Sequence, residues 1–357
     1  MSDRTAAHLA DAPSEVDPCF GVIVVNWRNA SDTMQCVESL VSAAPAPARV
    51  VVIDNGSGDD SVDRLAAWAS QRDISSELIE AEGALSPERR GEAWLTIVKA
   101  PANLGFAGGN NAGLALLRNE PGLTRFLLLN NDAVVAPDFF TQIAAALNSN
   151  PGAGLCSGTI YALSNRTRVW YAGGRVLPLR ALALHNLRRP SENTPVGTEF
   201  ITGCAMVISR AALEYVGMLP ECYFPGYMED VEYSLRMRAE GFDLIYAPAA
   251  TVYHKIGASF GSRVSSTLVA YHTNRHRVFF VRRNLRGPAR VTALLYMALT
   301  KPGRALIDLL AGRPDIAWAT LRGTMAGFVE RPSDVKRTSA PGLQRAAARL
   351  AGDGAAR

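Results

Sequence analysis

The stretch GVIVVNWRNASDTMQCVESLVSAAPAPARVVVID (residues 21–54) decides the fold. It contains two uninterrupted apolar runs, 21–26 and 50–54, separated by a helical pattern over about 31–43. Runs that are apolar at nearly every position are typical of parallel strands buried on both faces, and parallel strands need a crossover connection such as a helix. The stretch therefore predicts a strand, a crossover helix and a second, parallel strand.

The same alternation continues to residue 147. A helical pattern over about 60–70 and a polar insertion near 73–92 precede the strand WLTIV (94–98). A helix from near Gly109, the strand FLLLNND (126–132) and a helix over 137–147 follow. This order predicts an α/β fold, a doubly wound, mixed but mostly parallel sheet with helices on both faces.

The pattern changes after residue 150. Short strands and loops lead to a predicted strand over 200–209, a short helix over 211–216 and a helix over 229–240. Two further strands, in FDLIYAP (242–248) and ATVYHK (250–255), end at His254. Helical patterns over about 265–328 then predict a helical C-terminal extension.

The composition is that of a globular protein. The chain has 357 residues, of which 48% are hydrophobic and 20% charged, enough for one large or two ordinary domains. Residues 1–17 and 331–357 are predicted to be disordered tails. The five cysteines are odd in number and lack metal-binding spacing, which favours a reduced, cytoplasmic setting. The apolar run 291–299 is too short to predict a membrane span.

Positive charge is concentrated in one segment. Between Leu244 and Ile307 there are ten Lys or Arg residues and no Asp or Glu, although the net charge of the chain is only +4. The segment favours an anionic surface or a phosphate-bearing substrate as its partner. Residues 271–284 and 291–311 have patterns typical of interfacial amphipathic helices, and ordinary packing helices explain them equally well. Nucleic-acid binding is disfavoured, because no motif for it accompanies the charge.

Polar residues follow four of the predicted strands, at the edge where such sheets bind ligands. They are Asn26 and Trp27, then 54–57, 103–111 and 130–132. Turn formation by Asn, Asp and Gly explains any one of these groups alone, but four in succession favour a binding site.

Two of these groups indicate phosphate and metal chemistry. Backbone N–H groups of 105–111 would face an anion at the start of the next helix, although the segment is neither a P-loop nor a GxGxxG motif. Asp132 is a hard oxygen ligand suited to a divalent cation, and His254 also ends a strand. A turn-forming Asp and a structural His are the alternatives.

Glu229 and Asp230 begin the helix predicted over 229–240. The helix dipole favours an ionised carboxylate at this end, so Asp230 is a candidate base at neutral pH. Simple helix capping by the two acids is the alternative, and this helix alone does not decide between them.

Taken together, seven segments resemble glycosyltransferase family 2, and within it the rhamnosyltransferase-like enzymes of bacterial surface polysaccharides. The resemblance covers about residues 20–285 and rests on these segments: VIVVNWRNASDTMQCVESL, VVVIDNGSGDDSVDRL, NLGFAGGNNAGL, LLLNNDAVV, TGCAMVISRAALEYVGMLPE, YMEDVEYSLRMRAEGFDLIYAP and VYHKIGAS. It implies a GT-A fold over 18–264, with a nucleotide-binding half (18–150) and a catalytic half (151–264), before a basic helical extension over 265–330. It also implies a nucleoside-diphosphate sugar donor, a divalent metal (Mg²⁺ or Mn²⁺) and transfer with inversion.

The resemblance assigns roles to individual residues. Asp230 matches the catalytic base of the family's Glu-Asp motif, which Glu229 begins. Asp132 and His254 match positions that contact the metal or the diphosphate, and Asp132 is the only acid that this chain keeps at the family's DxD position. His276 replaces the Asn of an Arg-Asn-Arg motif. The residues matching donor-binding positions are Asn26, Trp27, Asp54, Asn55, Asn103, Gly105, Gly108, Gly109, Asn110, Asn130, Asn131, Arg275 and Arg277.

The predicted function is inverting transfer of a sugar, with rhamnose as one option, from a dTDP- or UDP-sugar to a hydroxyl of a glycan or lipid-diphosphate-linked glycan. The enzyme is expected in the cytoplasm or on the inner face of the cytoplasmic membrane, against an anionic lipid surface. Two alternatives remain. A non-catalytic polysaccharide-assembly protein would use the same scaffold, and a sugar-1-phosphate nucleotidyltransferase would carry a Gly-rich basic signature after its first strand, which residues 26–29 do not supply.

Overall fold

The computed structural model describes residues 19–80, 93–256 and 263–332. The predicted tails lie outside the described residues, apart from Arg331 and Pro332, and so does much of the polar insertion. All five cysteines lie within the described ranges and are free.

The strands are β1 (Phe20–Asn26), β2 (Arg49–Asp54), β3 (Ser76–Glu80), β4 (Leu95–Lys99), β5 (Arg125–Asn130), β6 (Ala133–Val135), β7 (Ala153–Ala162), β8 (Asn165–Tyr171), β9 (Gly174–Leu177), β10 (Leu182–His185), β11 (Val196–Gly197), β12 (Ala205–Ser209) and β13 (Asp243–His254). The helices are α1 (Ala30–Val41), α2 (Ser61–Gln71), α3 (Gly105–Leu117), α4 (Phe139–Asn148), α5 (Arg210–Val216), α6 (Glu229–Ala239), α7 (Arg263–Asn284), α8 (Gly287–Leu310) and α9 (Pro314–Val329).

Most of the described strands form one sheet, in the order β11-β13-β7-β12-β5-β1-β2-β4-β3, with β6 beside β13 and β8 beside β7. The strands from β5 to β3 are parallel, and β12 is antiparallel to both of its neighbours. Apolar clusters pack on the two faces of this sheet. The predicted mixed, mostly parallel α/β fold with a helical C-terminal extension is confirmed.

The strand order reverses at β1, which lies between β2 and β5. In the ladder Asn26 is opposite Asp54, and Val25 is opposite Asn130. The carboxyl ends of these three strands therefore lie at one level. A reversal point of this kind leaves a crevice outside the strand ends, where ligands bind in α/β sheets.

Helix α3 begins at Gly105, four residues before the predicted start. The side chain of Asn103 accepts a hydrogen bond from the Gly105 N–H (2.8 Å), which satisfies one of the free donors of the first turn. Two glycines bring this helix close to β1, because a Cβ at Gly109 would lie 2.9 Å from Val25 and one at Gly113 would lie 2.4 Å from Ile23.

Three other elements differ from the prediction. The strand expected over 200–209 begins only at Ala205, because the backbone before it bonds to side chains of α6. The last two predicted strands form the single strand β13, whose pairing with β7 shifts register between Ala247 and Thr251. The polar insertion contributes β3, an edge strand paired with β4.

The three C-terminal helices differ in how they are buried. Residues 278–281 of α7 are fully buried, so the packing interpretation of 271–284 is correct and the interfacial one is wrong. Helix α8 runs through Pro302 and exposes several large apolar side chains. No helix among the described residues combines the length and the apolar character needed to cross a bilayer.

Candidate active site

The ends of β1 and β2 are joined by a buried polar network. The Nδ2 group of Asn26 donates to Oδ1 of Asp54 (2.8 Å), and the Ser57 hydroxyl donates to the same oxygen (2.5 Å). The Thr33 hydroxyl donates to Oδ1 of Asn26 (2.7 Å) and accepts from Nδ2 of Asn131 (3.1 Å). Residues from β1, β2, α1 and the loop after β5 are therefore held together at the crevice.

A second network holds the start of α3. Oδ1 of Asn55 accepts from the Leu104 N–H (2.9 Å), and Nδ2 of Asn55 donates to Oδ1 of Asn103 (3.2 Å) and to the Gly105 carbonyl (3.2 Å). The Phe106 N–H donates to the carbonyl of Pro225, just before α6 (2.7 Å). The first turn of α3 thus connects the strand-end loops of β2 and β4 to the loop that precedes α6.

Contacts within the protein already occupy some of the polar groups in the predicted anion-binding segment, residues 105–111. The N–H groups of Gly105 and Phe106 already have protein acceptors, and buried Asn110 donates to the carbonyl of Phe106 (2.9 Å). Gly109 packs on β1, and a Cβ at Gly108 would lie 2.9 Å from Leu104, the residue just before α3. The structure gives these residues roles in positioning α3.

Asp132 and His254 form a pair at the edge of the crevice. β6 pairs with the end of β13, with Ala133 opposite His254, so that Nε2 of His254 lies 3.0 Å from Oδ1 of Asp132. Burial alone would lower the pKa of His254, but Cys204 and then Asp132 outweigh it and raise this pKa to about 10. The ring of Trp170 packs against His254 at a centroid distance of 4.9 Å.

Asp132 fits a loosely held Mg²⁺ or Mn²⁺ ion, and His254 could join it only as the neutral imidazole, after losing the proton that it shares with Asp132. Within the described residues no three His, Cys, Asp or Glu side chains are arranged to hold a metal. Mg²⁺ in particular is commonly held by one or two carboxylates together with substrate phosphates and water. In the part of the chain that the structure describes, Nδ1 of His254 has no hydrogen-bond partner and is buried, whereas Nε2 contacts Asp132. A metal here would need the diphosphate of a donor to complete its ligands.

Asp230 is held at the N-terminus of α6 by two backbone donors. Its Oδ2 accepts from the Gly203 N–H (3.0 Å) and its Oδ1 from the Val231 N–H (2.8 Å). Burial raises the pKa of Asp230, and these two hydrogen bonds act against the rise. The preceding residues Tyr227 and Met228 both have positive φ, which produces the sharp entry to the helix.

Glu229 lies beside Asp230 and is almost completely buried. Burial first, and the charge of Asp230 second, raise the pKa of Glu229 to about 8. Its Oε2 atom is buried without a hydrogen-bond partner among the described residues. Glu229 is therefore largely protonated at neutral pH, and in that form it does not repel an ionised Asp230.

A buried carboxylate one turn further along α6 anchors the helix to α7. Glu232 accepts from the Tyr223 hydroxyl (2.5 Å), from Arg283 (2.8 and 3.0 Å) and from Asn284 (2.8 Å). Burial opposes its charge, but these donors outweigh burial and lower the pKa of Glu232.

The structure does not bring Arg275 and Arg277 to the strand ends. Arg275 pairs with Glu330 (2.6 Å), and Arg277 donates to the carbonyl groups of Arg180 (2.8 Å) and Ala181 (3.0 Å). His276, between them, is fully buried, and burial lowers its pKa to about 3. Its neutral ring donates from Nδ1 to the carbonyl of Gly226 (2.8 Å), in the loop before α6.

The sequence prediction missed several residues of the site. Ser57 belongs to the polar group 54–57 at the end of β2, so its hydroxyl and its position could have indicated a role in the site. The sequence gives no comparable indication for three others, whose roles depend on contacts with distant residues: Thr33, Trp170 and Gly203. Trp27, in contrast, was predicted, and half of its surface is exposed at the end of β1.

A family model described as "Glycosyltransferase like family 2" matches residues 18–277 of the chain. The uncharacterized protein y4gI of Sinorhizobium fredii (strain NBRC 101917 / NGR234) is 26% identical over 260 residues, 70% of this chain. The match spans only 26% of that protein. The N-acetylglucosaminyl-diphospho-decaprenol L-rhamnosyltransferase of Mycobacterium tuberculosis (strain CDC 1551 / Oshkosh) is 26% identical over 327 residues, covering 82% of this chain and 98% of that protein.

Two solved structures share the fold. GalNAc-T7 with UDP, GalNAc and Mn²⁺ gives a TM-score of 0.55 at 14% identity, covering 76% of this chain and 52% of that chain. The mannosyltransferase PcManGT from Pyrobaculum calidifontis, in complex with GDP-Man and Mn²⁺, gives 0.51 at 18% identity, covering 93% of this chain and 94% of that chain. The GT-A fold implied by the sequence resemblance is confirmed.

Proposed function

The chain belongs to glycosyltransferase family 2, and from this premise we propose that it is an inverting glycosyltransferase with Asp230 as its catalytic base. The observation that carries the proposal is the position of Asp230. Its carboxylate is partly buried at the start of α6 and held by the N–H groups of Gly203 and Val231. Family membership supports a catalytic role over simple helix capping.

The proposed donor is a dTDP- or UDP-sugar bound along the crevice. The exposed indole of Trp27 would stack on the base, and the preformed Asn26–Asp54 pair would contact the base and ribose. Asn55, Asn103, Asn130 and Asn131 would act near the ribose and diphosphate. Rhamnose is the favoured sugar, because one relative is a rhamnosyltransferase that matches 82% of this chain.

The proposed acceptor is a lipid-diphosphate-linked glycan used in cell-surface polysaccharide synthesis. Support comes from the same relative, whose name specifies an N-acetylglucosaminyl-diphospho-decaprenol substrate. Such a lipid would place the reaction on the inner face of the cytoplasmic membrane.

In the proposed mechanism Asp230 accepts the proton of the acceptor hydroxyl as its oxygen bonds to the anomeric carbon. The bond from that carbon to the diphosphate oxygen breaks on the opposite face, so the configuration inverts and the nucleoside diphosphate leaves with the bonding electrons. A divalent cation, when bound by Asp132 and by His254 in its neutral form, would supply positive charge to the diphosphate. Glu229, protonated, lowers the negative charge beside the base.

An Asp230→Asn substitution tests the proposal. We expect it to reduce sugar transfer by a factor of about 10² to 10⁴, measured as nucleoside diphosphate released from dTDP-rhamnose, UDP-hexoses and UDP-galactofuranose. Donor affinity should change little, because Asp230 contacts the acceptor side. Asp138→Asn, the same change at an exposed site, is the matched control. Transfer by the Asp230→Asn variant at the wild-type rate would refute the assignment.

The same donor panel separates the two alternatives. A nucleotidyltransferase would make a nucleotide sugar from a sugar 1-phosphate and a nucleoside triphosphate. A non-catalytic assembly protein would bind a donor without releasing nucleoside diphosphate from any of them.

A further inference from the structure

Helices α8 and α9 turn large apolar side chains towards solvent. Val291, Leu295 and Leu299 are between 56% and 77% exposed on α8, and Trp318, Met325 and Val329 are between 62% and 72% exposed on α9. The spacings of four residues on α8, and of seven and four on α9, put each set on one side of its helix. These six residues are called the apolar face below. The two helices contact each other, and exposed apolar side chains gathered in one region are typical of interaction sites.

The inward side of α9 is made of smaller residues than its outward side. The buried positions of α9 are occupied by Ala, Thr and Gly. A Cβ at Gly323 would lie 2.2 Å from the carbonyl oxygen of Tyr271 in α7, and one at Gly327 would lie 2.6 Å from Val278. The two helices therefore need small residues where they meet, so α9 cannot rotate to bury Trp318 or Met325. The apolar face is a fixed feature of the fold.

The charges around the apolar face favour an anionic partner. Residues 287–332 contain six Lys or Arg and three Asp or Glu. Asp308 is buried and paired with Arg304 (2.9 Å) and Arg313 (2.6 Å), and Glu330 is paired with Arg275 (2.6 Å). Arg290 and Arg322 are exposed on the same two helices. Basic residues beside apolar side chains are typical of helices that lie in the interface of an anionic membrane.

We propose that the apolar face docks on the surface of a membrane that contains anionic lipids. This inference deepens the proposed function, since it rests on an acceptor that lies in a membrane, and it names the surface that meets the lipid. It excludes 271–284, which are packed inside, keeps the predicted segment 291–311, most of which lies in α8, and adds α9. A second copy of the chain is a poorer occupant, because a two-fold interface would bring the basic residues of both copies together.

Flotation of the full chain with vesicles tests the proposal. At low salt we expect the protein to float with phosphatidylglycerol/phosphatidylcholine vesicles and to float less with phosphatidylcholine alone. The double substitution Leu299→Glu with Met325→Glu should reduce the bound fraction at least tenfold. Val41→Glu with Leu187→Glu, the same charge change at apolar residues exposed elsewhere, is the matched control and should float like the wild type.

Three results would overturn docking. The first is that the wild type does not float, and the second is that the double variant floats like the wild type. The third is that the wild type is a dimer, the double substitution makes it a monomer, and neither form floats. Light scattering of each variant detects the last case. Release of nucleoside diphosphate from a donor in detergent-free buffer is measured in parallel. If nucleoside diphosphate is released but the protein does not float, only the docking surface is rejected. If the protein floats but no nucleoside diphosphate is released, only the proposed sugar transfer is rejected.

Discussion

The imidazole of His254 lies 3.0 Å from the carboxylate of Asp132, although the two residues are 122 positions apart in the chain. The short strand β6 brings them together by pairing with the end of β13. One carboxylate and one imidazole are a sparse ligand set. A divalent cation bound there depends on oxygen atoms from the donor diphosphate and from water.

We therefore expect metal and donor to bind together. The affinity for Mn²⁺, measured by titration calorimetry, should rise at least about tenfold when UDP or dTDP is present, since the diphosphate adds oxygen ligands. Asp132→Ala should remove this increase and weaken nucleotide binding, whereas Asp138→Ala, at an exposed Asp, should leave both unchanged. Equal Mn²⁺ affinity with and without nucleotide would contradict the coupling.

Glu229 should make the protein less stable as the pH rises. Burial and Asp230 raise its pKa from 4.5 to about 8 in the folded protein. Between these values the unfolded chain has lost a proton that the folded protein keeps, so the free energy of unfolding falls with increasing pH. The full effect is on the order of 5 kcal/mol, from about 3.5 pKa units at about 1.4 kcal/mol each. The decline should be complete just above pH 8.

Glu229→Gln isolates this effect, because an amide does not titrate. The difference in unfolding free energy between variant and wild type, measured by urea denaturation from pH 5 to pH 8.5, should grow with pH in favour of the variant. Asp243→Asn, at an exposed carboxylate, serves as the control for general pH effects. Parallel curves for Glu229→Gln and wild type would show that Glu229 titrates normally.

Gly56 and Gly58 provide a matched pair in the loop after β2. Their φ angles are +67° and +65°, but a Cβ at Gly56 would lie 2.4 Å from the backbone of Ala102, whereas nothing lies within 4 Å at Gly58. Gly58→Ala should lower the free energy of unfolding by about 1 kcal/mol, the cost of a left-handed residue. Gly56→Ala should cost at least about 2 kcal/mol more, since backbone must move.

Nucleotide affinity should separate the two glycine variants as well. Gly56 lies between Asn55 and Ser57, which hold the two polar networks of the site. The Gly56→Ala variant, if folded, should bind UDP or dTDP more weakly, and the Gly58→Ala variant should bind like the wild type. Equal losses in stability and affinity would mean that the contact with Ala102 is not important.

Much of the fold over residues 18–150 was predictable, because its signals are local. Apolar runs identified the strands, and the polar residues that end them, such as Asn26 and Asp54, lie at one level because neighbouring parallel strands end together. The start of α6 was also predictable from its first-turn acids. Helix α3 was placed four residues late, since its glycines were interpreted as a loop and not as contacts with β1.

The rest of the site depends on contacts between residues far apart in sequence. Gly203 holds Asp230 across 27 positions, and nothing in either segment indicates the pairing. Arg275 and Arg277 lie in a basic run that favours phosphate binding, but each has an acceptor inside the protein. The apolar face of α9 was missed because its outward side carries the larger apolar residues, the reverse of an ordinary surface helix.

The bond between Arg283 and Glu232 links the extension to the helix that carries Asp230. The side chain of Glu232 is 2% exposed and that of Arg283 is 40% exposed. Arg283→Met removes two of the four hydrogen bonds to a buried carboxylate, and we expect a loss of about 2 kcal/mol in the free energy of unfolding. Arg290→Met, at an exposed Arg, should change it by less than about 0.5 kcal/mol.

A second substitution distinguishes this ionic contact from simple packing. Glu232→Gln in the Arg283→Met background removes the uncompensated buried charge, so it should restore part of the lost stability. The Arg283→Met variant should also show a lower kcat with little change in the KM for the donor, because a looser α6 displaces Asp230 and leaves the nucleotide crevice intact. If Arg283→Met behaves like Arg290→Met in both stability and kcat, then α7 does not hold α6 through this pair.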